Sequence, residues 1–288
     1  MGTHDEKNLK NQIEEAAGYI READALLVCA GAGMGVDSGL PDFRGNHGFW
    51  EAYPPFASLG YSFIDMANPH WFDRDPHLAW GFYGHRLNLY RKTVPHKGFE
   101  ILLYLSRAKA GNYFVFTSNV DGQFQKAGFD ENKVIECHGS IHHLQCSGSC
   151  SNSIWSAQGI DIIVDEETMN ACEPLPLCPA CGQIARPNIL MFGDWSWISH
   201  RTEQQQHQFH QWLNLNEKGT TVIIECGAGT GVPTVRITSE NIASRYNATL
   251  IRINVREPDV PAGGIGLSMG ALDALIKLDR SGYISVVK

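Results

Sequence analysis

Four groupings of residues in this chain are of types, and at spacings, that could do chemistry. Gly31-Ala-Gly-Met-Gly35 directly follows the apolar run 25–30. Glycines in that place let a backbone turn tightly and bring its N–H groups to a pyrophosphate. As a dinucleotide signal it is weak, because counting from Gly31 and Gly33 puts the usual third glycine at Val36; an ordinary turn is the alternative. Cys146-x3-Cys150 and Cys178-x2-Cys181 are two short pairs. Each spacing puts two thiolates on one turn, and two such turns complete a tetrahedral four-sulfur zinc site. All four positions would be filled by protein, so the metal would be structural; Cys172 could replace one ligand, and free thiols are the competing reading. Tyr83 and Arg86 stand at helical i, i+3 spacing on one face. A guanidinium fork binds a carboxylate bidentately and a phenol adds a neutral donor, whereas an acetyl group offers such a pair nothing. An interior Tyr beside a solvated Arg is the plainer reading. Finally, His138 closes the apolar run 134–137 and precedes Gly139. Imidazole titrates near neutral pH unaided, as a general base must, although any one of twelve histidines is otherwise a surface or core residue.

These groups need elements to hold them. Residues 8–23 have helical spacing, with Leu9, Ile13, Ala16, Ala17 and Ile20 on one stripe. Runs 25–30, 113–117, 134–137, 221–226 and 249–254 are short and continuously apolar, as strands buried on both faces are. Helical patterns at 99–107, 239–246 and 272–278 alternate with them. The alternation predicts an α/β fold, a doubly wound, Rossmann-like parallel sheet with helices on both faces. His138 would then emerge at the sheet's carboxyl edge, where ligands bind in open α/β sheets. Two stretches break the alternation: 46–91, rich in aromatics, Pro and His, and 141–186, which holds the cysteine pairs. They are expected to pack as a smaller helical and zinc-binding lobe, against a larger lobe of 1–45, 92–140 and 187–288 within one catalytic unit.

Composition bounds the rest. At 288 residues, 43% hydrophobic and 19% charged, the chain can bury a core without disulfide staples. A net charge of −8 argues against duplex nucleic acid as a partner, since phosphate binding wants a positive face. No apolar run nears the ~20 residues of a membrane span, and residues 1–11 lack the basic-then-apolar build of a signal peptide. Cys29, Cys137 and Cys226 sit alone in apolar runs, as small buried hydrophobes do. A cytoplasmic protein is expected.

Ser38-Gly-Leu-Pro-Asp-Phe-Arg-Gly45 sets an acid, an aromatic and an arginine in a row after a proline. With the glycines before it, the segment resembles the sirtuin signature Gly-Ala-Gly-x-Ser-x-x-Ser-Gly-Ile-Pro-Asp-Phe-Arg. Gly31, Ala32, Gly33, Ser38, Gly39, Pro41, Asp42, Phe43 and Arg44 match, Leu40 replaces Ile, and Gly35 stands where the family has Ser. Thr117-Ser118-Asn119-Val120-Asp121 is similar to the family's Thr-Gln-Asn-Ile-Asp, and Glu136-Cys-His138-Gly-Ser140 to its His-Gly-Ser segment. Arg186-Pro-Asn-Ile-Leu190-Met191-Phe192-Gly193-Asp194 is similar to the segment that pairs with substrate peptide. Gly229-Thr230-Gly231 stands for the usual Gly-Thr-Ser, and Asn254-Val255 for the strand end near the adenosine. The resemblance runs from residue 26 to 277.

What the resemblance implies is an NAD-dependent protein-lysine deacylase that consumes NAD as a co-substrate. Nicotinamide leaves the ribose, the acyl-lysine oxygen captures the sugar carbon, and the products are nicotinamide, free lysine and O-acyl-ADP-ribose. By the same resemblance His138 is the base toward a ribose hydroxyl and Asn119 holds the ribose and an ordered water. Asp121 meets the nicotinamide carboxamide, Phe43 shields the nicotinamide side from water, and Asp42 and Arg44 anchor their loop. Gly31, Ala32, Gly33, Ser118, Val120, Gly229, Thr230, Gly231, Asn254 and Val255 complete the NAD site, while Leu190, Met191, Phe192 and Gly193 hold the peptide. Tyr83 and Arg86 look like the Tyr-x-x-Arg pair of sirtuins that remove succinyl, malonyl or glutaryl groups. Family zinc sites have two x2 pairs and a shorter gap, so the first pair here departs by one residue. Gly35, Ser118, Gln123, Phe124 and Gly231 depart around the expected NAD pocket, which keeps an ADP-ribosyltransferase or NAD hydrolase on the same fold as the alternative. A non-catalytic NAD-binding scaffold is a further one.

Overall fold

The computed structural model describes residues 3–42 and 45–281. In chain order its elements begin with α1 (Thr3–Glu22), β1 (Ala25–Ala30), α2 (Gly45–Ala52), α3 (Pro54–Ser58), α4 (Phe63–Met66), α5 (Trp71–Arg74), α6 (Pro76–Lys92) and α7 (Lys97–Ala108). Next come β2 (Tyr113–Thr117), α8 (Gln123–Lys126), β3 (Val134–Glu136), β4 (Gly139–Cys146), β5 (Trp155–Ser156), β6 (Val164–Asp165), β7 (Asn170–Ala171) and β8 (Ala185–Ile189). The chain continues with α9 (His200–Leu215), β9 (Thr221–Cys226), α10 (Thr234–Tyr246), β10 (Thr249–Ile253), β11 (Ile265–Leu267) and α11 (Ala271–Arg280).

Six strands form one all-parallel sheet in the order β11-β10-β9-β1-β2-β3. The apolar runs are continuous because successive residues enter different cores. Leu26, Val28 and Ala30 pack with α1, α7 and α11, whereas Leu27 and Cys29 pack with α9 and α10. β2 repeats the alternation, with Tyr113 and Val115 on the first face and Phe114 and Phe116 on the second. β1 leads by way of α7 to β2, and β9 leads by way of α10 to β10, so the connections leave these neighbouring strands toward opposite faces. That is a topological switch point, and it opens a crevice at the carboxyl ends of β1 and β9.

A third core joins the two stretches that break the alternation. Phe49, Tyr53, Phe56, Phe82 and Tyr83 from the helical stretch pack with Ile141, Leu144 and Ile189 of the antiparallel sheet β5-β4-β8. This sheet crosses the lobe limits expected at 140/141 and 186/187, since β4 starts at Gly139 and β8 ends at Ile189. Gly139 makes the join: its φ is +79°, and a Cβ there would lie 2.1 Å from the Asn188 carbonyl oxygen. Only glycine lets the chain turn sharply after His138 and pair at once with β8.

The expected strands are present, and the elements that go beyond the sequence patterns include the strands β4 to β8, α9 and β11. α9 is largely polar and buries only Thr202, Gln205, Phe209 and Leu213, too thin a stripe to stand out. β11 is three residues long. α1 and α10 also begin earlier than expected, at Thr3 and Thr234 rather than 8 and 239. No helix among the described residues is long and apolar enough to cross a membrane.

Candidate active site

The glycine loops after β1 and β9 lock into each other. Gly33 N–H donates to the Gly227 carbonyl at 3.0 Å, and Gly31 N–H to that of Cys226 at 3.0 Å. A Cβ on Gly31 would lie 2.8 Å from Ala228 Cα, and one on Gly33 would lie 2.7 Å from Gly227 Cα. Gly227 itself has φ +63°. These glycines are therefore demanded by loop-on-loop packing, a different cause from the pyrophosphate approach read from sequence. Gly35 has a comparable reason, because a Cβ there would press on Leu40 Cδ1 at 3.1 Å. A serine at that position would have to push Leu40 aside.

Beside this crevice the segments that follow β2 and β3 carry three polar side chains, Asn119, Asp121 and His138. Cys137 N–H donates to the Thr117 carbonyl at 2.9 Å, holding the two chain ends level. Asn119 donates from Nδ2 to the Gly31 carbonyl at 3.0 Å, and its N–H donates to Thr117 Oγ1 at 3.0 Å. Asp121 is buried and accepts from Gln123 N–H at 2.9 Å. Burial pushes its carboxyl up to about 6, as desolvation disfavours the charged form. His138 is half-buried, and burial lowers its imidazole from the usual range while a main-chain bond to Ser118 works against that shift. Thr234 Oγ1 lies 3.4 Å from His138 Nε2, and Leu190 N–H donates to the His138 carbonyl at 2.9 Å.

Leu190 to Gly193 form a strap leaving β8. Leu190 and Phe192 are exposed and Met191 is buried in the third core. Gly193 has φ +67°. The strap is pinned at both ends: Phe192 N–H reaches the Ala67 carbonyl at 2.9 Å, and Arg186 grips Asp194 in a bidentate pair at 2.8 and 2.9 Å. Beyond it, Arg201 of α9 pairs with Glu136 of β3 at 2.5 Å.

At the other end of the crevice Thr230 donates from N–H and Oγ1 to the Glu257 carboxylate at 3.2 and 2.5 Å. Asn254 is 2% exposed. Its Nδ2 donates to the Ala228 carbonyl at 2.8 Å, and its Oδ1 accepts from Arg256 and Glu257 N–H. Its side chain is thus spent bracing the crevice loops. Val255, Ala32 and Gly231 are exposed, and Gly229 and Asp42 half-buried. Phe43 and Arg44 lie outside the described residues.

Tyr83 and Arg86 lie one turn apart on α6, at 1% and 6% exposure. Arg86 donates from Nε and Nη2 to the Tyr90 hydroxyl at 3.1 and 2.9 Å. The rings of Phe63, Phe82, Tyr83 and Tyr90 surround its guanidinium. The Tyr83 hydroxyl is buried with no partner among the described residues. The solvated Arg of the plainer reading is thus excluded.

Cys146, Cys150, Cys178 and Cys181 bring their sulfurs within 4.8 Å of one another. Two of the separations, Cys146–Cys181 and Cys150–Cys178, are 3.6 Å. A tetrahedron with Zn–S about 2.3 Å has edges of about 3.8 Å, so the set fits zinc. The four come from β4's end and from the turn before β8; the exposed Cys172 is not among them, which removes it as a ligand.

Two features had no sequence signal. Thr234 opens a helix whose start the pattern misplaced, and a cavity of about 550 Å³ runs between α9 and α10 with Cys137 and Thr234 in its wall.

A doubly wound α/β unit with a glycine-lined crevice and polar side chains at its carboxyl edge is a nucleotide-using protein by class. The Sir2 family model matches residues 31–232, and the chain belongs to that family. An NAD-dependent protein deacylase of Thermus thermophilus is 28% identical over 275 residues, covering 93% of this chain and 94% of that one. NAD-dependent protein deacylase 1 of Archaeoglobus fulgidus is 32% identical over 190 residues, 66% of this chain and 65% of its own. Among solved structures, a Sir2 homologue in complex with NAD superposes with TM-score 0.67 at 24% identity, covering 93% of this chain and 92% of that one. Another, solved for the structural basis of sirtuin substrate affinity, gives 0.63 at 21% identity over 98% and 100%. At that identity they show the fold.

Proposed function

We propose that the protein is an NAD-dependent protein-lysine deacylase releasing nicotinamide, the free lysine and O-acyl-ADP-ribose. The carrying observation is that His138 and Asn119 sit just past the joined ends of β2 and β3 beside the glycine crevice, where Asn119 bonds the Gly31 carbonyl, with buried Asp121 two residues further on. Curated relatives of that name across nearly the whole chain support it. NAD, when bound, supplies a sugar carbon made electrophilic by loss of nicotinamide. The crevice suits it, with main chain from Gly31–Gly33 and Gly227–Gly231 lining the switch point. Asp121 accepts from the carboxamide of the leaving group and Asn119 orients the ribose. His138, kept neutral by its partial burial, takes the proton of a ribose hydroxyl. Leu190 and Phe192 offer apolar side chains to a lysine stem. Acyl-lysine proteins are the partners this site fits. The test is mass spectrometry of products from acyl-lysine peptide plus NAD. O-acyl-ADP-ribose, lost in His138→Ala, is expected; free ADP-ribose alone means the NAD hydrolase reading, and an ADP-ribosylated peptide means the transferase.

The same site favours acidic acyl groups over acetyl. The supporting observation is the Tyr83 hydroxyl, buried and without a partner, one turn from a guanidinium sunk among four rings. A buried polar group so left costs about 1–3 kcal/mol, which a succinyl or malonyl carboxylate would recover. Arg86→Met is therefore expected to cut kcat/KM on succinyl-lysine peptide roughly 10- to 100-fold, the size of one charged hydrogen bond, and to spare acetyl-lysine. Acetyl preferred by the parent enzyme, or succinyl turnover untouched by Arg86→Met, sinks this preference.

The cysteine tetrad would hold one structural zinc, closing the far end of the β4–β8 sheet.

A further inference from the structure

His138 has a partner that no sequence pattern announced. Just past β2, the Ser118 main chain favours the charged form of the ring, as a carbonyl accepting from a ring N–H does. Assigning the tautomer from that bond puts the proton on Nδ1 and leaves the lone pair on Nε2. Nε2 faces Thr234 Oγ1 at 3.4 Å. Thr234 is the first residue of α10, so the helix's N-terminal end lies beside the ring and its positive pole opposes an imidazolium. The other neighbours carry no charge: from the histidine's own segment Cys137, whose thiol burial pushes up to about 12, and from the strap the Leu190 N–H. Among the described residues no charged side chain bears on the ring. Behind Thr234 lies the α9–α10 cavity, bordered there by Cys137, Trp197 and Thr238.

We propose that Thr234 is a positioning residue for His138, donating its hydroxyl to the Nε2 lone pair and so holding the imidazole in the neutral, proton-accepting tautomer until a ribose hydroxyl takes that place. The role rests on reading His138 as the base. A hydroxyl suits it because it donates to neutral imidazole and can turn to accept from the protonated ring. Only one proton moves, from the ribose hydroxyl to Nε2, and Thr234 keeps its own.

The experiment compares Thr234→Val, nearly the same shape without the hydroxyl, with Thr234→Ser, which restores it. Thr234→Val should lower kcat roughly tenfold, the worth of one neutral hydrogen bond, with KM for NAD little changed. Losing a donor to the neutral form raises the imidazole pKa, so the acid limb of kcat should move to higher pH, toward 6.5. Thr234→Ser should recover both. The His138 ring titration, followed by NMR in the protein without NAD, should move the same way and does not depend on turnover. Parental kcat and an unmoved titration in Thr234→Val, or Thr234→Ser behaving like Thr234→Val, overturns the proposal. A parent enzyme that titrates as described but forms no product instead overturns the deacylase reading and leaves the pairing standing.

Discussion

Asp121 shows what the site asks of single residues. Its carboxyl is buried, and its pKa lies near 6 rather than near 3.8. A raised carboxyl favours folding fully only below its unfolded pKa, and that advantage is lost as pH rises through the folded value. The ionised Asp121 therefore costs stability at neutral pH. Asp121→Asn keeps the Gln123 N–H bond through Oδ1 and carries no charge. It is expected to melt a few degrees higher than the parent at pH 7.5, with the gain vanishing by about pH 4. Thermal denaturation across pH measures it, and a gain that grew toward acid would contradict the assignment. The same variant should weaken nicotinamide inhibition, since the carboxamide loses its charged acceptor. Sequence singled out Asp121, Asn119 and His138 through their motifs. It could not show that Asn254 would be buried and spent on the Ala228 carbonyl, because that carbonyl comes from a loop 26 residues away.

At the scale of elements, the crevice depends on charges hidden behind β9 and β10. Glu225 and Arg252 are both fully buried on the α10 face, paired at 2.5 and 2.9 Å, with Glu240 joining Arg252 at 2.7 Å. Ser239 of α10 donates to Glu225, and Arg252 also reaches the Asp259 carbonyl. Arg236 holds the Glu257 carbonyl at 2.9 Å. The loop after β10, which carries Asn254 and Glu257, is therefore tethered from beneath. Removing one partner leaves a buried charge alone, so Arg252→Met should cost about 3–5 kcal/mol, read by chemical denaturation. It should also raise KM for NAD. Glu225→Met added to it should restore much of the stability, because replacing the whole pair with packed apolar side chains avoids the stranded charge. If the double variant is no more stable than the single one, the network is not what holds this loop. Both charges sit in runs that the sequence read simply as buried strand. The pattern marked the strands correctly, but not that two of their inward positions face each other across β9 and β10.

Across the whole molecule, the β4–β8 sheet links the cysteine tetrad to the catalytic edge. β4 begins one residue after His138 and ends at Cys146; β8 begins four residues after Cys181 and ends at the strap. A metal held at one end would thus brace the pairing that fixes Gly139 opposite Ile189 at the other. One zinc per chain is expected by metal analysis. Chelation, or Cys178→Ala, should abolish zinc and deacylation together, because structural zinc contributes folding energy outright. Cys172→Ser should leave both intact, and loss of zinc there would overturn the assignment of the four ligands.

Residue types and near-neighbour periodicity were enough to give the parallel sheet, the cysteine pairs, the family signature and the residues to examine. Such signals survive in a linear chain because helix and strand periods, turn glycines and short ligand spacings act over only a few residues. The tertiary structure alone decided that Gly31 and Gly33 are glycine because of Gly227, that Cys172 is no ligand, and that Thr234 meets His138. Each of those contacts joins segments distant in sequence, and which segments meet is set by strand order and by the packing of three cores.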